Sequence, residues 1–107
     1  MNYTIQYLKE DLSNQITNYK IRYRWEIKAS EVNYIIEMIS TVDPRMQRLY
    51  INNQMVSGSN MNGLQKFYYS QLLDQNTLIE VIEIDNDYEL LVNQKSFRNY
   101  LAPQIST

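Results

Sequence analysis

Between Tyr19 and Lys28 apolar and polar residues alternate without a break. Tyr19, Ile21, Tyr23, Trp25 and Ile27 fall on one side, and Lys20, Arg22, Arg24, Glu26 and Lys28 on the other. A period of two sustained over this length predicts a strand with one buried and one solvated face. Residues 2–8 alternate in the same way, with Tyr3, Ile5 and Tyr7 in phase, although Ile5, Leu8, Leu12 and Ile16 also fit a helical spacing. The two stretches predict a first hairpin, 2–8 with 18–28, joined by a polar connection over 9–16 in which Leu12 is a candidate anchor.

The pattern then changes. Val32, Ile35, Ile36 and Ile39 recur at helical spacing, Tyr34 and Met38 widen their face, and Ser30 precedes them as an N-cap. This predicts a helix over 31–41, closed by Asp43-Pro44 because proline disfavours a helical residue before it. Residues 46–51 read as a strand. Asn52-Asn53, which tolerates positive φ, turns the chain into a short strand at 54–57. Asn60 caps a second predicted helix over 61–74, with Met61, Leu64, Phe67, Tyr68 and Leu72 inward.

Residues 77–84 (TLIEVIEI) are rich in β-branched side chains and predict a strand. Asp85-Asn86-Asp87 is turn chemistry, and 88–93 returns as the hairpin partner. Leu78, Ile82, Ile84 and Leu91 are its expected core-forming residues, with Glu80 in phase with the first three. A short helix near 95–101 stops before Pro103, and 102–107 is expected to fray. The predicted fold class is therefore α+β: a mostly antiparallel sheet with two main helices packed on one face and a short C-terminal helix.

Composition narrows the chemistry. The chain has 107 residues, the size of one ordinary domain, and 44% of them are hydrophobic. Two glycines are too few for a phosphate-binding loop of the P-loop or Rossmann type. The absence of cysteine removes disulfides, thiolate nucleophiles and zinc–thiolate sites, and fits a reducing compartment. The absence of histidine removes the usual general base and the commonest transition-metal ligand. No cofactor or metal is expected, and no catalytic grouping emerges. Residues 1–8 have neither a basic nor an apolar signal-peptide region, so the expected location is cytoplasmic, with no membrane. The Asn-, Ile- and Tyr-rich composition is one that AT-rich genomes encode, many viral and plasmid genes among them.

Charge supplies the candidate sites. Residues 51–107 hold six acids, all between positions 74 and 89, with no basic residue among them: Asp74, Glu80, Glu83, Asp85, Asp87 and Glu89. Such a run is a solvated hairpin face, a surface for a partner protein with basic side chains, or a divalent cation site. Tyr69 and Leu73, four apart on the predicted second helix, are a candidate apolar anchor for a partner or for a homodimer. Lys20, Arg22, Arg24 and Lys28 line one face of their strand, where side chains two apart stand about 6.5–7 Å apart, and are the candidate nucleic-acid contact.

The leading functional expectation is a small non-enzymatic binding protein, an inhibitor or accessory factor, virus- or plasmid-encoded, that occupies a partner protein through its acidic hairpin. A nucleic-acid-binding protein is the runner-up. A divalent-metal-dependent hydrolase or nuclease is third.

Overall fold

The structure, a computed structural model, describes residues 3–13, 19–29, 31–42, 45–60 and 66–102. They form two antiparallel sheets. The first contains β1 (Tyr3–Asp11), β2 (Lys20–Ala29), β3 (Val32–Val42), β4 (Arg45–Ile51) and β5 (Gln54–Asn60) in sequence order. The second contains β6 (Tyr68–Asp74), β7 (Thr77–Ile84), β8 (Asp87–Val92) and the two-residue β9 (Lys95–Ser96), also in sequence order. A single 3-10 turn, Phe97–Tyr100, follows, with the Ser96 side chain accepting from the Arg98 amide. Leu101 then bridges in parallel to Ile5, and the Ala102 N–H donates to the Ile5 carbonyl, tying the end of the second sheet to the edge of the first.

The α+β prediction is overturned, because the described residues are nearly all strand. The expected helix over 31–41 is β3, paired with β2 from Lys20↔Thr41 to Ala29↔Val32. Its proposed cap, Ser30, lies outside the described residues, as does Asp43-Pro44. Of the expected helix over 61–74, residues 61–65 lie outside the described residues, 68–74 are β6, and Asn60 ends β5. The C-terminal helix contracts to the 3-10 turn. The predicted strands at 2–8, 18–28, 46–51, 54–57, 77–84 and 88–93 are matched over the described residues by β1, β2, β4, β5, β7 and β8, β1 running on to Asp11, while Asn2 and Asn18 lie outside the described residues. Of the predicted frayed tail, Ala102 is bonded and 103–107 lie outside the described residues.

One physical cause explains both misread helices. Apolar neighbours such as Ile35-Ile36 and Met38-Ile39 look helical, but in β3 they point to opposite faces. Ile36 and Met38 are buried in the core, whereas Ile35 and Ile39 are half-buried on the outer face. A central strand with apolar side chains on both faces loses its period of two. Its β-branched residues (Val32, Ile35, Ile36, Ile39, Thr41 and Val42) nevertheless favour the strand.

The core lies between the sheets. Tyr3, Ile5, Ile21, Tyr23, Trp25, Ile27, Ile36, Met38 and Leu49 of the first meet Ile79, Val81, Tyr88, Leu90, Val92 and Phe97 of the second side. Trp25 is fully buried among Tyr7, Tyr23 and Phe97. Tyr19, on the apolar phase of the strongest sequence pattern, is instead exposed ahead of β2.

Three tight hairpins carry positive φ at both central residues: Asn52-Asn53, Asp85-Asn86 and Asn93-Gln94. This is the turn that matches strand twist. Asn52 and Asn93 use the same device. Each backbone N–H donates to a carbonyl on a neighbouring strand, Ile35 and Leu78 respectively, and each side-chain Oδ1 accepts from that same residue's N–H. Gln94, at φ 68°, lacks asparagine's tolerance for this region. Gln94→Gly is expected to stabilise the protein by about 0.5–1 kcal/mol. Calorimetry should show a higher Tm, and an unchanged or lower one would contradict the assigned turn. No helix among the described residues is long and apolar enough to cross a membrane.

Candidate functional site

Strand alternation divides the acidic segment between two faces and a turn. Along β7, Thr77, Ile79 and Val81 point into the core and Glu83 follows them in phase. Leu78, Glu80, Ile82 and Ile84 occupy the outer phase. The expected core-forming set Leu78, Ile82, Ile84 and Leu91 therefore lies on the outer face, and Ile79, Val81, Leu90 and Val92 fill the core.

Most of the acids are bonded to other parts of the fold. Glu83 Oε1 accepts from the Phe67 amide at 3.0 Å and from Gln47 Nε2 at 2.9 Å. Gln47 is fully buried and also donates to the Tyr88 hydroxyl. Asp87 pairs with Lys9 of β1 at 3.4 Å and interacts electrostatically with the neighbouring Tyr23 phenol. Asp74 accepts from the Tyr34 hydroxyl at 2.9 Å and the Asn76 amide at 2.8 Å. Glu89 takes a hydrogen bond from Ser96 and an ion pair from Arg98 at 3.8 Å. Asp85 sits exposed in its turn, and Glu80 accepts from the Tyr68 hydroxyl at 2.7 Å. Tyr69 and Leu73 are half-buried and pack on the core margin. No group of three or more acids suited to holding a metal occurs among the described residues.

What the hairpin does present is a largely apolar outer face. Cross-strand register sets Tyr68 beside Ile82 and Ile82 beside Glu89. In the next row Ser70 stands beside Glu80 and Glu80 beside Leu91, and Leu72 lies beside Leu78. Leu72 and Tyr68, 63% and 60% exposed, are the most exposed large hydrophobic residues described, and Ile84 continues the patch toward the turn. Sequence reasoning missed these residues by assigning them to a helix or to the core. The available signal was that TLIEVIEI is apolar in both of its alternating phases.

The basic strand face looks outward from the first sheet, as expected, but its charges are matched. Arg22 binds Glu10, Arg24 lies 4.0 Å from Glu37, and Lys28 lies 3.8 Å from Glu26. Lys20 instead lines a shallow hollow with Arg48, Ile39, Thr41 and Met46. No known family, curated protein or solved structure matches the chain. Its chemistry is accordingly read from these two outer faces alone.

The titrating groups set a pH window. Burial and the neighbouring Asp87 push the Tyr7 and Tyr23 phenols above their ordinary range. Hydrogen bonds to Asp74 and Glu80 do the same for Tyr34 and Tyr68. A phenol raised in the folded state keeps a proton that the unfolded chain loses. Its contribution is full below the unfolded value of about 10 and fades as pH rises through the folded one.

Asp11 and Asp74 are held low, Asp11 by Ser13 and Asp74 first by the Asn76 amide and then by Tyr34. Asp87 is raised by burial, but more strongly lowered by Tyr23, the Tyr88 amide and Lys9 together. These carboxylates contribute above about pH 4 and lose their effect as pH falls through their folded values. With no histidine in the chain, Tm is expected to be flat from about pH 5 to 9 and to fall on both sides. A step near neutrality would contradict this assignment.

Proposed function

We propose that this protein is a non-enzymatic binding module that docks a partner protein on the outer face of its second sheet. The observation that carries the reading is the patch of Tyr68, Leu72, Leu78, Ile82, Ile84 and Leu91. It is threaded by Glu80 and Glu89, with Asp85 at its end. Apolar area of this kind left facing water favours association. No lysine or arginine lies on the outer positions of β6, β7 or β8; Arg98 reaches Glu89 from the rim. The complementary partner surface is apolar with basic side chains around it. A rigid sheet loses little ordering entropy on docking.

The test is an NMR titration of the isotopically labelled chain with an amphipathic leucine/lysine peptide and its leucine/glutamate counterpart. Shifts from the basic peptide are expected to concentrate on Tyr68, Leu72, Ile82 and Leu91 and to weaken with added salt. The variant Glu80→Gln/Asp85→Asn/Glu89→Gln should bind about tenfold more weakly. Shifts confined to the first sheet, or equal binding of the acidic peptide, would refute the proposal.

A further inference from the structure

The open edge of the second sheet is formed by β6, and none of the described residues pairs with its outer side. Unpaired strand edges invite another strand, and proteins usually block them with charge, proline, a bulge or a covering segment. Here β1 carries Lys9, Glu10 and Asp11 and is bridged by Leu101. The part of β8 that extends beyond β9 carries Asp87 and Glu89. In β5 the register shifts in mid-strand, Leu49 pairing with Ser57 and Tyr50 with Met55. By contrast, β6 has no charge or proline from Tyr68 to Leu73, and its pairing with β7 is regular from Tyr68↔Ile82 to Leu72↔Leu78. Its only register shift falls at the end, before Asp74.

We infer that two copies of this chain pair antiparallel through β6, joining their second sheets edge to edge. The sequence of β6 is self-complementary about Ser70. With the twofold axis there, Tyr68 faces Leu72 of the partner subunit, Leu72 faces the partner's Tyr68, and the two Ser70 side chains meet. The most exposed apolar residues described in the chain thus become cross-strand neighbours on one face. The contact is isologous and consumes both free edges, so assembly stops at the dimer. The dimer needs no outside partner and places two copies of the proposed docking face side by side.

Sedimentation equilibrium of the full chain, without peptide, tests this. The mass should rise with concentration from the 12.8 kDa monomer to twice that value. Ser70 is exposed, so Ser70→Lys and Ser70→Glu should fold normally by circular dichroism while setting like charges together at the axis. Each should weaken dimerisation about tenfold or more, glutamate the more strongly because Glu80 already stands beside Ser70. Mixing the two variants should restore the dimer, an outcome that mere local damage would not produce. In a mixed-isotope sample, contacts between the Tyr68 ring and Leu72 methyls of different chains should appear. A wild type that stays monomeric at the highest concentration, or a dimer unchanged in both variants, overturns the inference. Because no peptide is present, that failure leaves the docking proposal to its own titration.

Discussion

Replacing Trp25 by alanine is expected to cost about 3–5 kcal/mol, a large share of the stability of a domain this size. The indole has 0% exposure and joins both sheets. It stacks on Tyr7 at 5.7 Å and Tyr23 at 6.1 Å within the first sheet, and meets Phe97 edge-on at 6.0 Å from the other side. Removing it takes away apolar burial, ring contacts and the support under Phe97, whose turn leads to the Leu101 bridge. The single tryptophan reports on its own environment. Native emission should be blue-shifted and should move red on unfolding in urea. A solvated native spectrum, or a Trp25→Ala variant with the wild-type urea midpoint, would refute this packing.

Glu83→Ala is expected to be the most damaging neutralisation in the acidic segment, at about 2–4 kcal/mol. It leaves the Phe67 amide without its side-chain acceptor and the buried Gln47 amide with the Tyr88 hydroxyl alone. Glu80→Ala, three residues earlier on the opposite face, loses one exposed hydrogen bond from Tyr68 and should change stability by about 0.5 kcal/mol or less. Urea midpoints of the two variants give a direct measure of the β7 register. Equal effects would mean that Glu83 does not face the first sheet. Asp87 belongs with Glu83, because its pairing with Lys9 joins β8 to β1. Acids that look interchangeable in the sequence therefore divide into those that hold the sheets together and those that face outward.

Strands were legible wherever only one phase of the alternation is apolar. In 19–28 the outer phase is charged and the inner phase aromatic or aliphatic, and β2 follows that pattern from Lys20 to Ala29. The turns at Asn52-Asn53 and Asp85-Asn86 were legible because asparagine and aspartate tolerate positive φ. In β7, apolar in both phases, the β-branched run still marked a strand, but elsewhere local pattern could not separate strand from helix where both phases are apolar. That was so in β3 with Ile35 and Ile39 outside, and in β6, where Phe67 ahead of the strand is buried but Tyr68 and Leu72 face out. The comparisons with known proteins offer no support for the viral or inhibitor expectation.

By itself the sequence determined the local terms: β-branched and aromatic content, turn chemistry, the lack of cysteine and histidine, and the concentration of acid between 74 and 89. Those terms depend on neighbours along the chain. Only the tertiary structure decided which phase of TLIEVIEI meets the first sheet, and so which acids are tied inward and which stand among Tyr68, Leu72 and Ile82. The physical reason is that a strand with two apolar faces can bury either one at similar local cost. The choice falls to long-range partners: Gln47 and the Phe67 amide for Glu83, Lys9 and Tyr23 for Asp87, and Tyr34 for Asp74. The face left over is the one on which docking is proposed.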